Sequence, residues 1–361
     1  MKLHLFLAPL LLLTSSAFAL GEEFAPAQDG LTEIDDGLPD LPASDEYPAP
    51  WFTGPLLTPS GHVVPAGFIN FEPYAIALAN LGGYDSDWNS FSTDNFYVAN
   101  FQAPLFIGLT DWSNILVVPQ ASWQGTQGVS SMVFNDFIFE FDVALLSDTS
   151  VNHIPGLKIY VQEVFPTGQY QKGDPCKLGT DFGGDGTFRT TVGFVITRLF
   201  HIYKTQYLAL RFNSFYGIPT RVCVKGLNTY GGAPDTKGTV NPGQNFGAMF
   251  GLEYSFTQNF AFAFDAFASY NKTTTFKGFP GTEEDGTPAI VGGPESFQFS
   301  IAPALEFLQS ESFGVIAGAW FTLAGKNSGR FVAGMLAINY FGPIRHLPEH
   351  KFRSTGGGGA P

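Results

Sequence analysis

The fold is decided by the stretch Asn135-Asp136-Phe137-Ile138-Phe139-Glu140-Phe141-Asp142-Val143-Ala144-Leu145. From Phe137 onward every second residue is apolar, and the positions between them include the carboxylates of Glu140 and Asp142. Successive side chains of a β-strand point to opposite faces, so this period of two predicts a strand with one apolar face and one polar face.

The same alternation recurs along the chain, most clearly in 259–271 and 296–307. Most of the alternating segments are longer than the about 5–6 residues of a typical soluble strand, and match the about 9–11 residues that a tilted strand needs to cross a bilayer. Twelve such segments are counted: 67–78, 96–109, 114–124, 134–146, 156–165, 188–199, 204–216, 244–256, 259–271, 296–308, 312–323 and 330–341.

The connections between these segments alternate between long and short. Links such as 166–187 and 217–243 are long, whereas 110–113 and 257–258 are short. Outer-membrane barrels have this pattern, with long outer loops, short periplasmic turns and an even number of strands. We therefore predict an all-β fold, a transmembrane antiparallel up-and-down β-barrel of about twelve strands over residues 67–341, with a disordered N-terminal segment.

The composition of the 361-residue chain excludes several function classes. Hydrophobic residues make up 44%, aromatic residues 16% and charged residues only 14%, which excludes disorder for most of the length. A net charge of −14 argues against nucleic acid as a partner, because its binders need basic patches. Two cysteines are too few for a Cys-rich zinc site, and we expect neither a cofactor nor a bound metal.

The ends of the chain differ from the strands between them. Residues 1–19 have the basic start, the apolar run and the final Ala17-Phe18-Ala19 of a secretory signal peptide. Residues 20–66 are acidic and proline-rich, with nine acids and no Lys or Arg in 21–50. This composition predicts a flexible periplasmic segment, and the polar residues 342–361 are predicted to form a flexible C-terminal tail.

Two groups of short motifs resemble those of a known family. Gly156-Leu157-Lys158-Ile159-Tyr160-Val161 leads to Phe165-Pro166-Thr167-Gly168, and Asn241-Pro242-Gly243 precedes Phe246–Phe256 and Thr257-Gln258-Asn259. Together they resemble the meta-pathway phenol-degradation family, over residues 130–300. That family comprises outer-membrane β-barrels assumed to be transporters, distantly similar to channels for hydrophobic compounds. The resemblance implies a barrel that passes small solutes, and it carries over no catalytic residues.

The charged residues of the predicted strands fall on the inward face. Charge that faces lipid near the bilayer midplane is expensive, so their parity supports the assignment of inside and outside. Two interpretations stay open: a polar channel, or an interior filled by paired side chains that passes no solute. The predicted lumen-facing charged residues are Glu72, Asp136, Glu140, Asp142, Lys158, Arg189, Arg211, Glu253, Asp265 and Glu306.

No catalytic residue is predicted. A Ser–His hydrolase in a barrel wall needs a histidine beside a serine at bilayer height. Because the histidines of the mature chain all fall outside the predicted strands, we expect the protein not to be an enzyme. They are His62, His153, His201, His346 and His350.

Two loop features carry side chains with ligand or redox chemistry. Asp85-Ser86-Asp87-Trp88-Asn89 begins like a calcium loop, but Ser90 and Phe96 stand where such a loop needs Gly and Glu, which favours an ordinary polar loop. Cys176 and Cys223 fall in neighbouring outer loops. We predict a disulfide between them, because compartments beyond the cytosol are oxidising. Two free thiols are the alternative, since the sequence fixes no distance between them.

These features predict a passive channel or transporter for small solutes, hydrophobic or aromatic ones included. It would lie in the outer membrane of a Gram-negative-type bacterium, exported by its signal peptide. The expected partners are outer-membrane lipid, the solute and the barrel-assembly machinery. The alternative is a non-transporting surface barrel that acts as an adhesin, an antigen or a structural protein.

The predicted topology has a direct test. Protease applied to intact cells is expected to cut within 166–187, 217–243 or 272–295, because these links face outward, and to spare 20–66. Mapping the released peptides identifies the cleaved sites. Cleavage of 20–66 from outside would overturn the orientation.

Overall fold

The wall of the molecule is a closed antiparallel barrel. The computed structural model describes residues 50, 52–148 and 154–344, so the predicted signal peptide, residues 20–49 and the tail from 345 onward lie outside the described residues. Sixteen strands form one sheet that closes on itself. Four wall positions hold two strands each, which gives the twelve positions of the predicted barrel and confirms the fold class. Among the described residues, no helix has the length and apolar character to span a bilayer.

Strand bounds place the wall and a smaller sheet. The first four wall positions are split into β1/β2, β3/β4, β5/β6 and β7/β8, and β12, β13 and β16 form a separate three-stranded sheet. The strands are β1 (Phe68–Phe71), β2 (Tyr74–Tyr84), β3 (Ser90–Gln102), β4 (Leu105–Thr110), β5 (Ser113–Val118), β6 (Gln120–Thr126), β7 (Val129–Phe134), β8 (Phe137–Leu146), β9 (Gly156–Phe165), β10 (Arg189–Tyr203), β11 (Gln206–Pro219), β12 (Val222–Lys225), β13 (Lys237–Asn241), β14 (Asn245–Ser255), β15 (Phe260–Asn271), β16 (Thr275–Phe279), β17 (Ser296–Ser310), β18 (Phe313–Lys326) and β19 (Ser328–Pro343).

Closure joins the last strand to the first. β19 pairs with β1 at Tyr340↔Phe71 and with β2 at Met335↔Ile76, besides its hairpin with β18. A closed ladder leaves no open edge in the hydrocarbon, where unbonded backbone groups are costly. Alternation follows the sequence: outward residues such as Phe212 and Val161 are exposed, and their inward neighbours are buried.

The first four wall positions are interrupted at the same height, and we call this line of interruptions the crease. The strands are interrupted at Pro73, Pro104, Pro119 and, on the fourth position, at Asn135-Asp136. Proline has no N–H to give to a ladder, which favours a strand break at these positions. Bonds still cross the crease, from Glu72 N to the Pro104 carbonyl (3.0 Å) and from Ala103 N to the Pro119 carbonyl (3.1 Å).

Beyond the crease, the barrel ladder is interrupted. β9 ends at Phe165, opposite Phe137 of β8, and so stops below β7. In the part of the chain that the structure describes, β7 pairs only with β6. The strand Val129–Phe134 therefore has one edge without a neighbouring strand.

Three long links form a cap at one end, which we call the outer end. They are loop 3 (166–188), loop 4 (220–244) and loop 5 (272–295). β12 and β13 belong to loop 4 and β16 to loop 5, and β13 lies between the other two. The buried side of this cap sheet packs Val222, Val224 and Val240 with Tyr230.

A matched pair of substitutions on β11 tests the lipid-facing side of the wall. Phe212 lies near mid-strand and Ile218 near the outer end, and both side chains are exposed. Phe212→Lys should lower the free energy of unfolding by about 2–4 kcal/mol, and Ile218→Lys by about 0–1 kcal/mol, because a cation near the membrane surface reaches water. Urea unfolding in lipid vesicles measures both, with Phe212→Ala and Ile218→Ala correcting for lost side-chain area. Equal losses for the two lysines would contradict a membrane-spanning β11.

Candidate functional site

The chain segment before β1 lies inside the barrel. Every described residue from Phe52 to Val64 except His62 is buried, and Leu56, Leu57 and Val64 are 0% exposed. Residues 20–66 are predicted from composition to form a flexible periplasmic segment. For 52–64 that prediction is wrong, because these residues are held inside the barrel by contacts with its wall. We call residues 52–66 the plug segment.

Carboxylates of the wall hold the backbone of the plug segment. The backbone N–H and the hydroxyl of Thr53 both donate to Glu306 Oε2, each at 3.0 Å. Asp265 accepts from Leu57 N (3.1 Å), Thr58 N (2.9 Å) and the Thr58 hydroxyl (2.6 Å). A buried segment without a partner strand needs such acceptors, because its N–H groups cannot remain unbonded. Two of the predicted lumen acids are therefore anchors of the plug segment.

The plug segment also fits the apolar interior. Phe52 packs with Tyr207, and Leu56 and Leu57 belong to the large buried cluster that includes Trp320. Val64 belongs to a third cluster, around Phe106. One short stretch of chain thus contacts three apolar clusters, and fills the interior that a channel would need.

Two wall glycines make room for this segment. A Cβ added at Gly314 would lie 2.2 Å from Thr53 Cγ2, and one added at Gly108 would lie 1.8 Å from the Pro65 carbonyl oxygen. Real side chains do not approach so closely, so any larger residue would displace the segment. The fit of the wall to the plug segment is specific at these points.

The predicted lumen bases all lie in ion pairs. Lys158 Nζ is 3.3 Å from Asp142 Oδ1, and Arg211 Nη2 is 2.6 Å from Glu253 Oε2. Arg189 pairs with Asp185, a buried acid of loop 3 that the parity analysis missed because it lies outside the strands. Burial of a charge is tolerated when a partner of opposite charge neutralises it.

The remaining predicted acids accept hydrogen bonds from neutral groups. Glu140 accepts from Gln162 Nε2 (2.9 Å), and Glu72 accepts from Asn70 Nδ2 (3.1 Å) and from Asn339. Asp136 accepts from the backbone N–H groups of Gly168 (2.9 Å) and Asp185 (3.0 Å). All ten predicted lumen residues are buried, at 2% exposure or less. The lumen-facing charges are therefore occupied by contacts within the protein.

Loop 3 closes the outer end by folding inward. Gln124 Nε2 donates to the Phe182 carbonyl (2.8 Å), Asn135 Nδ2 to the Gly183 carbonyl (3.2 Å) and the Tyr230 hydroxyl to the Asp185 carbonyl (2.8 Å). Gly183, Gly184 and Asp185 at the tip of this fold are buried, because glycine lets the backbone approach the wall closely.

The same loop covers the free edge of β7. Lys177 Nζ donates to the Ser130 carbonyl (3.3 Å), and the hydroxyls of Ser131 and Thr180 are 3.1 Å apart. At this edge, side-chain contacts replace the strand pairing that continues in the rest of the wall. The β7 edge is thus covered by side-chain contacts of loop 3 and not by a paired strand.

At the inner end a small cavity adjoins the start of the plug segment. Its volume is about 130 Å³, and it is lined by Phe52, Thr53, Phe68, Asn339 and Phe341 among others. It is far too small for a passage through the barrel. The plug segment occupies the interior, and loop 3 folds in at the outer end.

The loop features of the sequence have ordinary structural roles. Cys176 and Cys223 are free and exposed, so the predicted disulfide is not formed: Cys223 lies on β12, where its thiol faces Thr239. Asp85 accepts the backbone N–H groups of Asp87 (2.8 Å) and Asn89 (2.9 Å), and these bonds lower the pKa of Asp85. Among the described residues, no group of three His, Cys, Asp or Glu side chains could hold a metal ion.

The histidines fall in unlike surroundings. His201 lies at the end of β10, where its ring stacks on Tyr207 (4.5 Å between centroids) and its Nε2 is 2.8 Å from the Lys204 carbonyl oxygen. His62 is half-buried in the plug segment. His153, His346 and His350 lie outside the described residues.

Comparison with known proteins bears on the fold. No protein-family model and no curated protein matches the sequence. A crystal structure of an outer membrane channel from Pseudomonas putida F1 is similar, with a TM-score of 0.58 and 11% identity over 84% of this chain and 100% of that chain.

Two other solved barrels are more distant. A porin, NanC, has a TM-score of 0.39 and 8% identity over 75% of this chain and 98% of its own. A mutant of TodX, a monoaromatic hydrocarbon channel, has a TM-score of 0.37 and 11% identity over 78% of this chain and 91% of its own. By its closed wall and its likeness to the Pseudomonas putida structure, the chain has the fold of an outer-membrane β-barrel.

Proposed function

We propose that the protein is a passive channel for small solutes whose resting state is closed. The observation that carries this proposal is the nature of the two closures. Both are segments of chain, the plug segment and the inward fold of loop 3, and neither is part of the wall. A wall of twelve strand positions with these segments displaced encloses a lumen lined by charged and amide groups.

The hydrogen bonds that hold the plug segment support the proposal that this segment can be displaced. Bonds from Thr53 and Thr58 to Glu306 and Asp265 can be exchanged for bonds to water when the lumen hydrates. A barrel built only for surface display has no need of buried carboxylates along its inner wall, and a fully apolar interior would stabilise it at least as well. The non-transporting surface barrel remains the alternative, since the lumen is filled and the outer loops are ordered.

The free edge of β7 supports hydrophobic and aromatic solutes as the class carried. Met132 and Phe134 on this strand expose 68% and 80% of their surface toward the lipid side. Loop 3 seals the neighbouring gap by contacts such as Lys177 to Ser130 rather than by a ladder. Opening here would let an apolar solute leave sideways into the bilayer without crossing the polar lumen.

The cellular setting belongs to the same proposal. A closed barrel with an exposed apolar outer wall needs a membrane, and barrels of this type are assembled in the outer membrane of Gram-negative-type bacteria. The N-terminal residues 1–19 would direct export, and the barrel-assembly machinery would insert the wall.

Replacing the plug segment tests the channel. A full-length variant with residues 52–64 changed to a Gly/Ser sequence of equal length should show stable conductance steps in planar bilayers, several-fold above those of the wild type. The reason is that the wall loses the apolar and carboxylate contacts that keep the segment inside. Liposome swelling with small solutes gives a second readout.

A matched control for that variant is the same Gly/Ser replacement at the exposed tip 282–287 of loop 5. It should leave conductance unchanged. If the variant with the altered plug segment folds, as judged by heat-modifiable gel mobility, and still conducts no better than wild type, the barrel is not a channel.

The opened lumen should prefer cations. The three lumen bases are each paired, and in the part of the chain that the structure describes Glu72, Asp136, Glu140 and Asp265 have no base within ion-pair distance. Such a field raises the local cation concentration. In the background with the replaced plug segment, the reversal potential across a salt gradient should show cation preference.

Neutral variants identify the source of this preference. Glu140→Gln with Asp265→Asn should reduce it, whereas Glu284→Gln with Asp285→Asn, in the exposed part of loop 5, should not. Anion preference before substitution, or no change with the lumen pair, would refute the electrostatic account.

A further inference from the structure

The cap sheet has one exposed face that the channel proposal does not use. Its strands β12, β13 and β16 turn Val222, Val224 and Val240 to the buried side. Period-two alternation places the intervening residues on the other side, where Cys223, Lys225, Lys237 and Lys277 are exposed. We call this side the basic face.

The lysines of the basic face lie close together, although their like charges repel each other. Lys225 and Lys237 are directly opposite each other in the β12–β13 ladder, and Lys277 is opposite Thr239 on the next pair of strands. Like charges directly opposite each other destabilise a sheet. The three strands contain three lysines and no Asp or Glu, in a chain whose net charge is −14.

Neighbouring acids do not neutralise these lysines. In the part of the chain that the structure describes, no ion pair involves Lys225, Lys237 or Lys277. Asp235, two residues before β13, accepts the Thr282 N–H (2.9 Å). Asp285 accepts the N–H and the hydroxyl of Thr287, and these bonds lower its pKa. Asp235 thus joins loop 4 to loop 5, and Asp285 holds its own turn.

The basic face begins just above the lipid-facing wall. Ile218 near the end of β11 and Phe246 near the start of β14 expose apolar side chains. Arg221 follows three residues after Ile218, a rise of roughly 10 Å along an extended chain, and its Nε donates to Asn241 Oδ1 (3.3 Å) at the foot of β13. The cations therefore start at the height where headgroups replace hydrocarbon.

The other exposed groups of the face suit a sugar. Thr239, Asn241 and Thr275 lie on the same side as the lysines by alternation and offer hydroxyl and amide groups. Phe279 is opposite Lys237 and exposes 54% of its surface, an apolar ring of the kind that packs on pyranose faces.

We propose that the basic face binds the phosphorylated core sugars of lipopolysaccharide in the surrounding outer leaflet. Phosphate groups would neutralise the opposed lysines, which removes the repulsion that the free sheet retains. The surface charge, its height above the wall and the adjoining sugar-type contacts all match this partner. The inference rests on outer-membrane placement, and not on whether the channel opens.

Binding to defined lipopolysaccharide tests the proposal. The probe is purified rough-type lipopolysaccharide with a phosphorylated core, titrated against the full-length protein in nanodiscs of zwitterionic lipid. Lys225→Gln with Lys237→Gln should weaken binding roughly 10- to 30-fold, from the attraction that two basic residues supply at an anionic surface. Higher salt should weaken wild-type binding and have less effect on the variant.

The control removes a lysine at the opposite end of the barrel: Lys204→Gln, in the inner turn between β10 and β11. It should bind like the wild type, and heat-modifiable gel mobility shows that each variant is folded. Equal affinity of the wild type and the variant of the basic face would overturn the proposal. So would equal binding of dephosphorylated lipopolysaccharide, or preference for a soluble uronate polysaccharide.

Discussion

Every backbone N–H and C=O within a bilayer must find its partner inside the protein, and the features of this molecule follow from that constraint. It closes the wall through the pairing of β19 with β1 and β2. It makes Asp265 and Glu306 acceptors for a plug segment that has no partner strand. It also explains why loop 3 reaches the edge of β7, where the ladder stops.

The wall could be predicted from the sequence because a strand between lipid and lumen has a simple local signature. Phe139 and Glu140 lie on opposite faces, and no distant part of the chain is needed to see it. For the same reason the inward position of Asp265 or Arg211 follows from parity alone. The crease was less evident, since the strand pattern continues through Pro104 and Pro119 with only a short break.

What those inward charges bind could not be predicted. The partners of Asp265 and Glu306 are backbone groups of a segment whose composition resembles that of a linker, and backbone donors leave no mark in a sequence. Asp185 was missed because it lies in a glycine-rich loop, to which strand parity does not apply. The disulfide failed for a related reason, since the sequence does not show that Cys223 lies within a cap sheet and faces Thr239.

The plug segment has a further consequence for the order of events in folding. Thr53 and Glu306 are 253 residues apart in the chain, and Thr58 and Asp265 are 207 apart. Contacts of such separation form slowly, because the intervening loop must lose its entropy first. Residues 52–66 therefore cannot take their final position until β15 and β17 stand in the wall. β1 follows these residues directly, and β19 closes the barrel by pairing beside β1. The final strand pairing therefore forms next to a chain segment that already leads into the interior.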